Sequence, residues 1–466
     1  MSLATFRGGT HPYEGKELAE NCQIRDLQFD GEFVFPVSQG IGAPAKPVVA
    51  VGDSVKAGQV IAEAGGFVSA NVLSSVSGTV KRIEARLTTG GLPCNSIVIE
   101  SDGLYETAEG VGTPRDYTKL TGEEIIEIVK KAGIVGIGGA GFPTHVKLMP
   151  RKPENIEFFI ANGSECEPML TSDYRLMVEQ PEKVLGGLKI CLQIFPQAKG
   201  IIGIENNKPE AIRIMKETCA HEPNVEVREL LTKYPEGGER QLIHALTGRD
   251  INSTMLPADA GCVVDNVATL AAIYDAVALG IPLMEKVITV SGDAVKAPAN
   301  VRIRLGASYE RILEACGGLK DGVEPGKYIC GGPMMGQALF DLNVPVTKPS
   351  SAILALLHDE VSENPTTACI RCGRCVEVCP EFLLPTRLNR MAETQDLEGF
   401  EKLNGMECVE CGSCSYICPA RRPLTQSFKL MRRKVAELKR IKAAEAKLRE
   451  QQAAEVKAQE EKKEVK

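Results

Sequence analysis

The chain contains no tryptophan, and the aromatic share of its 466 residues is only 5%. Its buried cores are therefore expected to consist mainly of valine, isoleucine, leucine and alanine. Only five histidines are present, and they form neither a zinc-binding pattern nor an obvious catalytic triad. Zinc-dependent hydrolysis and triad-based nucleophilic catalysis are therefore not predicted.

An export signal and long apolar runs are also lacking. The first 21 residues are polar and contain no apolar core, so a secretory signal is not predicted. The most apolar stretch, residues 267–284, contains Asp275, Gly280 and Pro282, and it predicts a mostly buried helix rather than a membrane span. Many cysteines without an export signal indicate a reducing cytoplasm. A net charge of −7 argues against general nucleic-acid binding.

Cysteine, by contrast, is abundant, and eight of the sixteen cysteines form two copies of one pattern. Each copy has the spacing C-x2-C-x2-C-x3-C-P, with which bacterial ferredoxins hold a [4Fe–4S] cluster. The cysteines are Cys369, Cys372, Cys375 and Cys379 in the first run and Cys408, Cys411, Cys414 and Cys418 in the second. The fourth cysteine of such a run ligates the other cluster, so Cys379 is expected to complete the second site and Cys418 the first. A single run is also compatible with zinc, but the repetition favours two clusters and predicts electron transfer.

Changes of pattern along the chain predict a multidomain protein of α/β and α+β modules. Residues 1–115 are β-rich and resemble a lipoyl/biotinyl-like β-sandwich, although the stretch that would carry a modified lysine has none. Residues 116–285 alternate helices and strands as an α/β domain, and residues 286–358 resemble a β-grasp module that binds soluble ligands. Residues 359–425 form a ferredoxin-like segment with one or two helices between the cysteine runs. Residues 426–466 predict a charged, solvated helical or disordered tail, and docking on a partner or an anionic membrane surface is the alternative.

A glycine-rich loop lies early in the predicted α/β domain and leads to a predicted helix. Its glycines are Gly136, Gly138, Gly139 and Gly141. A loop without side chains can lay its N–H groups against phosphate groups or a flat ring. No acidic residue marks the ribose site of a standard Rossmann fold, and a plain tight turn is the alternative. Polar residues follow the apolar strand predicted at residues 156–161, where a ligand site is expected.

In these segments the chain resembles the flavin- and NADH-binding subunit of respiratory complex I and, more closely, the RnfC component of the Rnf electron-transport complex. The order of the modules and the opening residues Phe6-Arg7-Gly8-Gly9-Thr10-His11-Pro12 fit the latter family. The resemblance implies two [4Fe–4S] clusters, FMN and NAD(H) as cofactors of a ferredoxin–NAD(+) oxidoreductase. It implies partners among the other membrane and peripheral subunits, an indirect link to ferredoxin, and ion translocation by those partners. It also implies a peripheral position at the cytoplasmic face of the cell membrane.

The resemblance further implies the residues of the cofactor site. The glycine loop would pack against FMN and the nicotinamide, Lys147 would lie near the flavin phosphate, and Glu167 would meet the nucleotide. The complete set is Gly136, Gly138, Gly139, Ala140, Gly141, Phe142, Lys147, Asn162, Glu165, Glu167, Glu239, Asp265, Asn266 and Thr269. A core phenylalanine, a surface lysine and helix caps at Asp265 and Asn266 are the structural alternatives. No catalytic nucleophile or base is expected, because hydride transfer between nicotinamide and flavin needs none.

The chain also departs from complex I within this site. Ile137, Ser164, Gly238 and Asp265 stand where complex I has Arg, Asp, Glu and Asn, and no clear adenine-stacking aromatic occurs at residues 255–260. Two other functions therefore stay open. The chain is either a flavin and iron–sulfur dehydrogenase subunit of a soluble complex, or an electron-relay adaptor that binds no nucleotide.

Overall fold

The computed structural model describes residues 3–464, without the side chains of residues 448 and 452–464. These residues form two compact units that divide between Glu363 and Asn364. Within the described range, every helix is too short or too polar to cross a membrane. Residues 465 and 466 of the predicted tail lie outside the described residues.

The amino-terminal part of the first unit is built from short strands. Seven of them form one four-stranded and one three-stranded sheet, whose longest pair, β7 and β8, is antiparallel from Gly78 to Leu87. Phe33, Phe35 and Ile97 are buried in their core. The strands are β1 (Ile24–Asp26), β2 (Gly31–Pro36), β3 (Lys46–Pro47), β4 (Ser54–Val55), β5 (Val60–Glu63), β6 (Val72–Leu73), β7 (Gly78–Leu87) and β8 (Pro93–Ser101).

An α/β layer follows, with a parallel four-stranded sheet. Its elements are α1 (Gly122–Lys131), α2 (Thr144–Lys147), β9 (Phe158–Asn162), α3 (Ser172–Glu179), α4 (Pro181–Ile194), β10 (Lys199–Glu205), α5 (Pro209–Thr218), β11 (Val225–Leu230), α6 (Glu239–Thr247), β12 (Cys262–Asn266) and α7 (Val267–Ala278). The strand order is β11-β10-β9-β12. Along the chain, β10 and β11 are added on one side of β9, and β12 is then added on its other side. Ligands of such sheets bind outside the carboxyl ends of the strands at this switch point. A site is therefore expected between the ends of β9 and β12.

Several predicted elements of this layer need correction. The strand predicted at residues 156–161 is β9, two residues later at its start and one at its end. The helix after the glycine loop, α2, has only four residues, because Pro150 follows shortly and disfavours helical backbone before it. Asp265 lies within β12 and caps no helix, whereas the Asn266 side chain does cap α7.

A mixed sheet with two short helices completes the first unit. Its elements are β13 (Glu285–Ser291), β14 (Ala299–Arg304), α8 (Tyr309–Ala315), β15 (Lys327–Cys330), β16 (Gln337–Leu339), β17 (Ala352–Leu356) and the short α9 (Glu360–Glu363). β1 joins this sheet by parallel pairing with β14. Ala4 and Thr10 form bridges with Leu230 and Tyr234 of the α/β layer. The start of the predicted segment 1–115 thus pairs with both the α/β layer and the mixed sheet. The boundaries of the five predicted segments stay predictions.

The second unit is helical. Its helices are α10 (Arg374–Glu377), α11 (Pro385–Glu393), α12 (Leu397–Lys402), α13 (Ser413–Tyr416) and α14 (Leu424–Glu464). The prediction of a solvated tail from residue 426 is wrong for the first turns of α14, because Phe428, Met431 and Val435 are buried in the core of this unit. These residues recur at helical spacing and form one apolar face. The tail prediction was correct in that the segment is helical.

The contact between α4 and α7 depends on a glycine. A Cβ atom on Gly187 would lie 1.9 Å from the carbonyl oxygen of Leu270, whereas one on Gly122, at the start of α1, would have no neighbour closer than 3.7 Å. We predict that Gly187→Ala lowers the free energy of unfolding by about 2 to 3 kcal/mol, because α7 must move away from α4. Gly122→Ala is the matched control and should be neutral or slightly stabilising. Denaturant unfolding measures both, and equal stability of the two variants would contradict this packing.

Candidate cofactor sites

The carboxyl edge of the parallel sheet is held together across the switch point. Asn266 at the end of β12 is in register with Asn162 at the end of β9. The side-chain amide of Asn266 donates to Asp173 Oδ2 at 2.6 Å and to the Asn162 carbonyl oxygen at 3.4 Å. Its Oδ1 accepts from the Ala268 N–H at 2.7 Å. All of these bonds together fix the orientation of the Asn266 amide.

The glycine loop extends over the start of α7. The Gly136 N–H donates to the Phe142 carbonyl oxygen at 2.8 Å and closes the loop, and the Ile137 N–H donates to Thr269 Oγ1 at 2.9 Å. Gly138, Gly139 and Ala140 at its tip are exposed. A Cβ on Gly138 would lie 3.9 Å from Asn266 Nδ2, and Gly139 has open space around it. The tip thus offers bare backbone beside the switch point.

Two positions of this loop have another structural role. Gly141 has a φ of 67°, and a Cβ on it would lie 2.9 Å from Gly40 Cα. The Ala140 carbonyl oxygen accepts from the Ile41 N–H at 3.1 Å. Close packing against the loop at residues 39–41 therefore explains Gly141 without any cofactor. Phe142 is half-buried.

Lys147 lies at the same edge among acidic groups. Its Nζ donates to the Val264 carbonyl oxygen at 2.7 Å and lies 3.5 Å from Glu239 Oε1 and 3.6 Å from Asp265 Oδ1. Burial by itself lowers the pKa of Lys147, but the two carboxylates outweigh it and raise the pKa above its ordinary value. A phosphate dianion beside Lys147 would also meet both carboxylates. This arrangement suits a neutral oxygen better than a phosphate.

Asp265 is the most unusual group at this edge. Its side chain is fully buried, and burial raises its pKa to about 6 in spite of Lys147. Among the described residues, no group donates a hydrogen bond to either of its carboxylate oxygens. Ser164 Oγ is also buried, and it has no hydrogen-bond partner among the described residues. Buried polar atoms are nearly always satisfied, so these atoms indicate a missing donor.

Glu165 stands behind the edge rather than on it. Its carboxylate accepts from the N–H groups of Asp173 at 2.7 Å and Tyr174 at 3.3 Å, so it holds the start of α3. Burial raises the pKa of Glu165 to about 7. Asp173, which also accepts from Asn266, therefore links Glu165 to that residue.

Glu167 points toward the mixed sheet. Its two carboxylate oxygens accept from the N–H groups of Met334 at 3.0 Å and Met335 at 2.9 Å, and Tyr234 OH donates to it at 3.4 Å. Burial raises the pKa of Glu167 to about 7. A nucleotide hydroxyl would have to share this carboxylate with the loop at residues 331–336.

Two buried lysines support the turn after β9, and sequence reasoning missed both. Lys16 Nζ donates to the carbonyl oxygens of Glu165, Glu167 and Leu170 at 2.7 to 3.1 Å. Lys208 Nζ donates to the Ser164 carbonyl oxygen at 2.6 Å and pairs with Glu205. Lys16 is 149 residues from Glu165, so no local pattern connects it with this turn.

The structure therefore brings only part of the predicted set together. The residues at the switch point are Gly136, Gly138, Gly139, Lys147, Asn162, Glu239, Asp265, Asn266 and Thr269. Ala140 and Gly141 contact the loop at residues 39–41, and Glu165 and Glu167 are engaged in other contacts as described.

The two cysteine runs have the same backbone geometry. Arg371 and Glu410, each directly before the second cysteine of a run, have φ angles of 58° and 59°. Gly373 and Gly412 have 82° and 86°, and a short helix follows each. The sequence repeat is thus a structural repeat.

The thiols of the two runs affect one another's pKa values. Burial raises the pKa of the Cys375 thiol, and its neighbours Cys418, Cys372 and Cys369 raise it further. Burial raises the pKa of Cys414 to about 12, with Cys411, Cys408 and Cys379 adding to the shift. Each group contains three thiols of one run and the last thiol of the other. This is the arrangement that two-cluster ferredoxins use.

The second group encloses a cavity. Cys379, Cys408, Cys411 and Cys414 line it together with apolar residues such as Leu383 and Phe428. The N–H groups of Leu383 and Glu410 donate to Cys379 Sγ and Cys408 Sγ, each at 3.4 Å. Four thiols with N–H donors in an apolar shell fit a [4Fe–4S] cluster.

Comparison with known proteins agrees with this geometry. Family models match residues 4–104 (RnfC Barrel sandwich hybrid domain), 129–275 (Nuo51 FMN-binding domain), 287–338 (SLBB domain) and 360–453 (4Fe-4S dicluster domain). A relative from Clostridium ljungdahlii, which belongs to a proton-translocating ferredoxin:NAD(+) oxidoreductase complex, is 46% identical over 92% of this chain and 94% of its own length. Its counterpart in the Na(+)-translocating complex of Acetobacterium woodii is 42% identical over 94% of this chain and 98% of its own.

The chain belongs to the RnfC family, whose members are subunits of ion-translocating oxidoreductase complexes. A further relative from Rhodobacter capsulatus is 41% identical over 93% of this chain and 83% of its own length. The likeness to a solved NAD+-reducing [NiFe]-hydrogenase chain is weaker, with a TM-score of 0.48 and 21% identity over 63% of this chain and 55% of that chain. The matches confirm FMN and [4Fe–4S] as cofactors and the assignment to an oxidoreductase and translocase family.

FMN fits the groups at the switch point. The exposed backbone of Gly138 and Gly139 and the partly exposed Lys147 can donate hydrogen bonds to flavin oxygens, whereas the oxygens of Asp265 and Ser164 are too deeply buried for a ligand to reach. The exposed glycines at the loop tip leave room for a flat ring. The donor set at this edge therefore agrees with the family match.

The Asn266–Asp173 bond allows a direct test of the edge. We predict that Asn266→Asp lowers the free energy of unfolding at pH 7.5 by about 2 kcal/mol, because two carboxylates then lie at hydrogen-bond distance. Aspartate caps α7 as well as asparagine does, so the cap is not lost. Like charge raises the pKa of the pair in the folded state, so the loss should shrink as the pH falls and one carboxyl becomes protonated.

The double variant Asn266→Asp/Asp173→Asn exchanges the two groups and restores one amide facing one carboxylate. Its melting temperature should recover most of the loss at pH 7.5. A single variant as stable as the original chain, or a double variant without recovery, would contradict this arrangement.

Proposed function

We propose that the chain is the peripheral subunit of an Rnf-type ferredoxin–NAD(+) oxidoreductase that passes electrons between NAD(H), FMN and two [4Fe–4S] clusters. The observation that carries the proposal is the presence, in one chain, of an FMN-binding domain and a 4Fe-4S dicluster domain that has a cavity lined by four thiols. The names of the relatives, which are ferredoxin:NAD(+) oxidoreductase subunits, support the same reaction.

The residues at the switch point bind and orient the flavin in this proposal. FMN, when bound, exchanges a hydride with nicotinamide and electrons singly with the clusters. Lys147 donates one hydrogen bond to it, the buried Asp265 carboxylate holds Lys147 in place, and the loop tip from Gly138 to Ala140 leaves space for the nicotinamide. Asn162, Asn266 and Thr269 hold this edge and the loop in place. The chain supplies position and electrostatics, and no side chain acts as a nucleophile.

Three further residues complete the proposed set. Glu167 meets the nucleotide when the loop at residues 331–336 releases part of its hydrogen bonding, and Phe142 stacks on the nicotinamide. Glu165 positions Asp173 rather than touching the flavin. The assignments of Glu167 and Phe142 follow from the family resemblance, and that of Glu165 follows from its hydrogen bonds to Asp173 and Tyr174.

The cluster assignment follows from the grouping of the thiols. Cys369, Cys372, Cys375 and Cys418 hold the first cluster, and Cys379, Cys408, Cys411 and Cys414 hold the second. The five segments 1–115, 116–285, 286–358, 359–425 and 426–466 are proposed as the modules of the chain.

The partners are the other membrane and peripheral subunits of the complex, with ferredoxin linked through them. These subunits couple electron flow to ion translocation, and the chain lies at the cytoplasmic face of the membrane.

Visible spectroscopy of the anaerobically prepared full chain tests this function. We expect NADH to bleach both the visible flavin absorption and the broad cluster absorption, because electrons pass from nicotinamide through FMN to the clusters. Cys372→Ala is the control and should lose iron and cluster absorption while its flavin is still bleached by NADH. Bleaching of the original chain by dithionite alone would instead favour an electron-relay adaptor without a nucleotide site.

A further inference from the structure

The loops of the two cysteine runs have the same backbone geometry but differ in the residues that pack over them. Helix α14 lies over the second loop, where Arg432 forms an ion pair with Glu410 and Thr425 lies 3.7 Å from Cys414 Sγ. Phe428 of the same helix lines the cavity of the second thiol group. The thiols of Cys408, Cys411 and Cys414 are therefore all at least half-buried.

The first loop has no such cover. Cys369 and Cys372 are exposed, and the side chain of Ile370 between them is 67% exposed. Arg371 has the same left-handed backbone as Glu410, yet within residues 3–464 it forms no ion pair, and neither does Arg374. Two ligands of the first cluster site thus face solvent.

The open loop is also basic. Arg371 and Arg374 are exposed on it, where the second loop has Glu410 and Ser413. Arg421 is exposed as well, and its carbonyl oxygen accepts from Thr366 Oγ1 at 3.2 Å, which places it beside the segment leading into Cys369. An apolar side chain surrounded by arginines matches the composition of protein interfaces, where arginine is enriched and the rim is polar.

We propose that this open loop, residues 369–374 with Arg421, is the docking surface for an acidic electron-transfer protein. The proposal rests on the proposed function and names the partner chemistry of the first cluster site. A partner carrying carboxylates around its own redox centre would pair with the three arginines and place that centre against the exposed thiols. Complementary charge steers such encounters and sets their orientation. Because rim charges act mainly through steering, the affinity should fall as salt rises.

The second loop supplies the substitutions for the test. Ile370→Val, Arg371→Glu and Arg374→Ser give the first loop the residues that the second loop carries on the same backbone, so the fold is expected to tolerate them. The control variant Arg387→Glu/Arg390→Ser makes the same charge change on exposed positions of α11. Absorption spectra and iron content should be equal in all three proteins.

The probe is an oxidised, acidic bacterial two-cluster ferredoxin, which stands in for the acidic partner, and its dissociation constant with the anaerobic full chain is measured at low and high salt. We expect the triple variant to bind about tenfold more weakly than the original chain at low salt, and the control variant to bind as the original does. Basic cytochrome c, a carrier of similar size, should bind at least tenfold more weakly than the ferredoxin.

Equal binding by the triple variant and the original chain would overturn the proposal. So would an equal loss in the control variant, equal binding of cytochrome c, or no binding of the ferredoxin to the original chain. None of these results depends on NADH, so a failure of the docking surface is distinguishable from a failure of the proposed reaction.

Discussion

The parallel pairing of β9 with β12 is the constraint on which the flavin site depends. It brings Asn162 and Asn266 into register, although they lie 104 residues apart in the chain. Asn266 then connects the strand end, the cap of α7 and Asp173 in one set of hydrogen bonds. Sheets of this topology leave a crevice at the same point. The glycine loop and Lys147 are candidate flavin contacts because they lie beside this crevice.

The glycine loop is held in position by the modules on either side of the α/β layer. Lys348 lies between β16 and β17 of the mixed sheet and is almost fully buried. Its Nζ donates to the Gly133 carbonyl oxygen at 2.6 Å. Its backbone N–H donates to Gln39 Oε1 at 3.2 Å, and residues 39–41 pack against Gly141. Burial lowers the pKa of Lys348 to about 7. The amino-terminal strands and the mixed sheet therefore act as a rigid frame for a loop that has few side chains of its own. Residues that pack around a binding site in this way keep the site in one geometry.

Much of this could be predicted from the sequence where the signal is local. The cysteine spacing predicted the cluster-binding runs because each pattern lies within eleven residues, whereas the exchange of the fourth thiol between the runs stays a prediction. The strand predicted at residues 156–161 and the buried helix predicted within residues 267–284 correspond to β9 and α7. The contacts that could not be predicted are long-range ones. Nothing near Lys16 signals its bonds to the turn after β9, and nothing near Glu167 signals the N–H groups of Met334 and Met335. The buried face formed by Phe428, Met431 and Val435 was not predicted, because charged residues surround these apolar positions in the sequence.

The central claim is that one polypeptide connects a nicotinamide-reactive flavin with two iron–sulfur clusters. Iron, acid-labile sulfide and FMN, measured per anaerobically prepared chain, test it most directly. The account predicts about eight iron atoms, about eight sulfides and one FMN per chain. A chain with half that iron, or with full iron and no flavin, would contradict it.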